Sequence, residues 1–83
     1  MVDWLEQAGE VAAQVARSVH KKYHPYFDVA DLRQDLMVWV LRREAKVKEW
    51  LVHEDEQEYR KGIKMLARAL QRQADKYCRT RSE

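Results

Sequence analysis

From Trp4 onward, apolar residues return every three or four positions: Trp4, Leu5, Ala8, Val11, Ala12, Val15, Ala16, Val19 and Tyr23. That spacing keeps one side of a helix apolar. It predicts an amphipathic helix from about Asp3 to Tyr23, with Asp3 as its N-cap. His24-Pro25 should end it, because a residue before proline is pushed out of the α region. A second apolar set, Val29, Leu32, Leu36, Trp39, Val40, Val47, Trp50 and Leu51, shares one broad face at ~100° per residue. Asp28 is placed to cap this helix, with Asp31 at its third position. The pattern reaches Leu51 whether the helix is continuous or breaks near Arg43-Glu44, and both forms remain open.

A polar stretch, "HEDEQE", precedes the third segment. There Asp55 can cap and Glu58 can close a capping box. Tyr59, Ile63, Leu66, Ala67, Leu70, Ala74 and Tyr77 form an apolar stripe. Lys61, Lys64, Arg68, Arg72, Lys76 and Arg79 form a basic one on the opposite side. Thr80 to Glu83 are expected to fray. The pattern therefore predicts an all-α fold: one domain over 1–83, a compact bundle of three main helices.

Composition strengthens that reading. The chain has 83 residues with two glycines and one proline, so helix breakers are scarce. The longest apolar run, Leu36 to Leu41, falls far short of the ~20 residues a membrane helix needs. The first residues lack the basic-then-apolar order of a secretory signal. Cys78 is the single cysteine, so no intrachain disulfide can form and a reducing cytoplasm is the expected location.

The net charge of +2 conceals an uneven distribution. Charges cancel up to His53, Glu54, Asp55, Glu56 and Glu58 make an acidic run, and the chain from Arg60 onward is basic. A polyanion is one partner such a segment can meet. Lys64, Arg68, Arg72, Lys76 and Arg79 are the candidates for contact with nucleic-acid phosphates, where affinity would depend on salt. A solvated helix face, suited to the helix dipole, is the competing explanation for the same residues.

Asp28 and Asp31 are explained by capping and by the dipole. Asp35 lies too deep in its helix for either. Asp31, Asp35, Val38 and Arg42 share a face away from the apolar stripe, with Gln34 and Leu41 beside it. Carboxylates, an amide and aliphatics on one exposed strip make a candidate protein-binding surface. The alternative is an ordinary solvated face carrying some apolar residues.

Other chemistry finds less support. His20 and His24 are spaced i, i+4, but Pro25 interrupts the helix and no third ligand is evident; no metal or cofactor is expected. The only serines are Ser18 and Ser82, and there is no glycine-rich phosphate loop. The chain is not expected to be an enzyme. Trp4, Trp39 and Trp50 sit at core spacing rather than forming a ligand cage.

The segment "FDVADLRQDLMVWVLRR", Phe27 to Arg43, resembles region 2 of bacterial RNA polymerase sigma factors. In the extracytoplasmic-function type, an Asp-Ala-Glu-Asp-Leu-x-Gln-Glu opening precedes an apolar helix with a tryptophan near its end. Asp28 to Asp35 and Trp39 take the corresponding places here. "VARSVHKKYHPYF" looks like that family's first helix and aromatic turn, and "KMLARALQRQADKYCRTR" is similar to its last helix. The chain is also similar to small sigma-like proteins of actinobacterial phages. The resemblance implies a transcription-associated domain that binds core RNA polymerase at the coiled coil of its largest subunit. Asp31, Gln34 and Asp35 would be the polar contacts; Arg42 joins them by its position on the helix. It also implies promoter DNA as a second partner, reached by Arg68, Arg72, Lys76 and Arg79. Such a domain would lack the second DNA-binding domain of sigma factors. A small helical interaction module unrelated to transcription, acting as a dimer or as an inhibitor of a host protein, is the alternative.

Overall fold

A computed structural model describes residues 3–23 and 28–82, and the side chains of 3–22 and 28–79. The turn assigned to His24-Pro25 lies outside the described residues. Four helices follow one another: α1 (Trp4–Tyr23), α2 (Val29–Arg42), α3 (Glu44–Leu51) and α4 (Glu56–Ser82). No strand occurs among the described residues. The all-α fold stands, and of the two forms open for the second segment the broken one is found: α2 and α3 meet at Arg43.

The break falls at Arg43, whose φ of −117° and ψ of 37° leave the helical region. Its amide donates to the carbonyls of Trp39 and Val40, closing α2. Its carbonyl accepts from Val47 N at 3.0 Å, opening α3. Neither glycine nor proline is involved. The apolar period runs through Arg43 unchanged, so a straight helix and a broken one bury the same residues. Periodicity could not separate them.

Three aspartates begin helices in the same way. Oδ1 of Asp3, Asp28 and Asp55 accepts from the amides of Leu5, Ala30 and Gln57, at 2.9, 2.8 and 2.8 Å. Each satisfies one of the donors that a helix start leaves without an intrahelical partner. Glu58 does not close a capping box. Its carboxylate turns outward to Lys61, 3.6 Å away. α4 continues through Ser82, beyond the point where fraying was expected.

The core joins all four helices. Ala8, Val11, Ala12, Val15, Ala16 and Val19 come from α1, and Leu32, Leu36 and Val40 from α2. Val47 and Leu51 of α3, with Leu66, Leu70, Ala74 and Cys78 of α4, complete it. Small side chains on α1 let its neighbours pack closely against its axis. Leu5 departs from its expected place and is 37 % exposed. Cys78 was not anticipated in the core; burial, with Asp75 adding a smaller effect, pushes its thiol pKa up.

The tryptophans rim this core rather than fill it. Trp4, Trp39 and Trp50 are half-buried, and each carries a cation over its ring. Arg43 stands 4.5 Å from the Trp39 centroid, Lys48 5.3 Å from Trp4 and Lys46 5.8 Å from Trp50. Lys48 also pairs with Glu44 at 3.0 Å, one turn away on α3.

Gly62 is the position where α4 crosses the end of α3. A methyl group there would overlap the Trp50 carbonyl oxygen and stand 2.6 Å from its carbon. Gly9, in the middle of α1, has nothing within 4 Å of the same added atom. The two glycines should therefore respond in opposite directions to alanine. Gly62→Ala should cost about 1–3 kcal/mol, because backbone must move to admit the methyl. Gly9→Ala should gain roughly 0.5–1 kcal/mol from helix propensity alone. Urea denaturation of the two variants beside the wild type checks both signs.

Candidate functional site

α2 turns Leu32, Leu36 and Val40 into the core, and its register dictates what faces outward. Asp31, Gln34, Val38, Leu41 and Arg42 are all exposed. At ~100° per residue they occupy a sector of about 100° centred opposite the buried leucines. Val38 is 41 % and Leu41 56 % exposed. An aliphatic pair thus lies on the surface between a carboxylate and amide at one end and a guanidinium at the other. Asp31 and Arg42 form no ion pair with any described residue, so their charges are not consumed within the fold.

Asp35 differs from the expectation that it has no structural duty. It is half-buried at the side of α2 that meets α4, and its Oδ2 accepts from Gln73 Nε2 at 3.2 Å. The partner lies thirty-eight positions along the chain, so no local pattern could have revealed it. Oδ1 of the same carboxylate makes no bond among the described residues. Asp35 therefore borders the strip, with one oxygen committed to the bundle.

α4 carries the second candidate surface. Lys64, Arg68, Arg72, Lys76 and Arg79 are all exposed, as their spacing requires. At the start of the helix, cations are matched by the acidic run: Arg60 meets Glu56 at 2.8 Å and Lys61 meets Glu58 at 3.6 Å. Lys64, Arg68 and Arg72 have no such partner among the described residues. Asp75, within the basic stretch, accepts a long bond from Gln71 at 3.4 Å. The exposed apolar residue in that part of α4 is Met65, 46 % exposed, and not an aromatic. This surface can meet phosphates, but among the described residues it has no exposed ring on which a base would stack.

No family model, curated protein or solved structure matches the chain. The assignment of a partner therefore rests on these two faces and on the sequence resemblance.

No group of three or more His, Cys, Asp or Glu side chains able to hold a metal ion occurs among the described residues. His20 is on α1, while His24 lies outside the described residues. Among the described residues, no helix is long and apolar enough to cross a membrane.

Between α1 and α4, the Tyr59 hydroxyl donates to Gln7 Oε1 at 2.7 Å. This bond and the Gln73–Asp35 bond fix α4 against two different helices. A double-mutant cycle on Asp35→Ala and Gln73→Ala should give a coupling of about 0.5–1.5 kcal/mol. Additivity of the two substitutions in chemical denaturation would show that the bond contributes nothing.

Proposed function

We propose that this chain is a transcription-associated helical domain that binds core RNA polymerase through the outer face of α2. The observation that carries the reading is the exposed strip of Asp31, Gln34, Val38, Leu41 and Arg42. Its residues coincide with the segment that resembles the polymerase-binding helix of sigma region 2. Aliphatic side chains at the centre supply area removed from water, and the flanking polar groups supply orientation and selectivity. Asp35 joins the contact through Oδ1, the oxygen that Gln73 leaves open.

DNA is the second partner in this proposal. Lys64, Arg68, Arg72, Lys76 and Arg79 would neutralise phosphates along the outer side of α4. Because no exposed ring accompanies them among the described residues, the contact follows the backbone rather than reading bases. Promoter selection would then depend on the polymerase that the domain occupies.

The first test is capture of purified core polymerase. Asp31→Arg and Leu41→Asp, both at exposed positions, should keep the fold and weaken capture by at least about tenfold. Equal capture by wild type and both variants would sink the assignment. Loss of a different protein from a bacterial lysate, with polymerase never recovered, would favour the interaction module instead.

The second test is fluorescence anisotropy with duplex DNA. Binding should weaken steeply as salt rises from ~50 to ~200 mM. Arg68→Glu with Arg72→Glu should abolish it while polymerase capture persists. No binding at ~50 mM salt would remove DNA from the proposal.

A further inference from the structure

The outer face of α1 carries a charge pattern that neither proposed contact uses. Glu6, Glu10, Arg17 and Lys21 are exposed and fall within about 60° of one another around the helix, at ~100° per residue. That sector lies opposite the buried alanines. Acidic residues occupy its first half and basic residues its second. The helix dipole accounts for such charges only within the terminal turns. Glu10 and Arg17, the seventh and fourteenth of the twenty residues of α1, are beyond that reach.

Along α1 itself this arrangement is unfavourable, although Arg33 of α2 and Arg60 and Lys64 of α4 line depressions that Glu10 shares. Glu6 with Glu10, and Arg17 with Lys21, are like-charge pairs at i, i+4. Glu10 and Arg17 are seven positions apart, ~10 Å along the axis, and none of the four side chains forms an ion pair among the described residues.

We infer that α1 pairs antiparallel with α1 of a second copy of this chain. A two-fold axis passing between positions 13 and 14 sets Glu10 opposite Arg17 of the second copy. The same axis sets Glu6 opposite Lys21, because both pairs have the same midpoint in sequence. Each like-charge pair then meets its opposite, four times over the whole interface. The small side chain of Ala13 borders the crossing and permits a close approach. A shallow depression lined by Glu6, Gly9, Glu10, Ala13 and Arg17 runs along this face, and Arg33 of α2 lines it too. A single polar helix buries less than the ~1,200 Å² of a stable interface. The dimer is therefore weak and sensitive to salt.

Sedimentation equilibrium of the whole chain, up to about 1 mM, is the first experiment. Apparent mass should climb towards the dimer at low salt and return to the monomer near ~0.5 M. The decisive arm uses two charge-reversed proteins, one with Glu6→Lys and Glu10→Lys, the other with Arg17→Glu and Lys21→Glu. Each alone should self-associate at least about tenfold more weakly than wild type. Mixed, they should form a one-to-one complex, because an all-basic face then meets an all-acidic one. Val38→Asp with Leu41→Asp should leave self-association unchanged. A wild type that stays monomeric at every concentration would overturn the inference. So would reversed variants that fail to pair, or self-association lost on changing Val38 and Leu41.

Discussion

The closeness of α4 to the end of α3 at Gly62 sets the arrangement of the rest. Any side chain there would collide with the backbone of Trp50, so the crossing exists only because position 62 has no Cβ. With the backbones in contact, Leu51 and Val47 reach the core and Leu66 and Leu70 pack beside them. From that crossing α4 runs on for five more turns. Tyr59 ties its first part to Gln7 of α1, and Gln73, ~20 Å further along, ties it to Asp35 of α2. A crossing displaced by one methyl would shift both hydrogen bonds, and with them the orientation of the basic stripe relative to α2.

The elements that follow from local rules were legible in the chain. Helix periods and the three capping aspartates depend on residues within a few positions of one another, and the structure has them where those rules place them. What escaped was decided across the bundle. Asp35 looked surplus because its partner is Gln73. Gly62 looked like one of two ordinary glycines because its reason is the Trp50 carbonyl. Cys78 continues the stripe of Leu70 and Ala74 by one further turn, so the same period reaches it. Leu5 shows the reverse: its spacing fits the apolar face, yet at the edge of α1 nothing covers it fully. The break at Arg43 has a different cause, since both helix forms satisfy one pattern.

The same distinction separates two kinds of charged residue. Some cations are occupied by the fold. Arg43, Lys46 and Lys48 shelter tryptophan faces that would otherwise meet water, while Arg60 and Lys61 answer the acidic start of α4. Such contacts on the surface contribute little stability individually, but they reduce the charge available to a partner. Lys64, Arg68 and Arg72 carry no such obligation among the described residues. The acidic run before them therefore does not cancel the basic stripe; it neutralises the first turn of α4 and leaves the middle of the helix positive.

The absence of large aromatics from the fully buried core bears on function as well as stability. Ala, Val and Leu fill the interior, and the indole rings lie at its margin with cations stacked on them. A base stacking on one of these indoles would have to displace its cation and expose the core beneath. Phosphate contact along α4 requires neither change. Under the proposed function, any grip on nucleic acid would therefore be electrostatic and unselective, and selectivity would lie in protein contacts. The α2 strip suits that division because Val38 and Leu41 are the apolar side chains at its centre, and burying them repays an interface without unmaking the bundle.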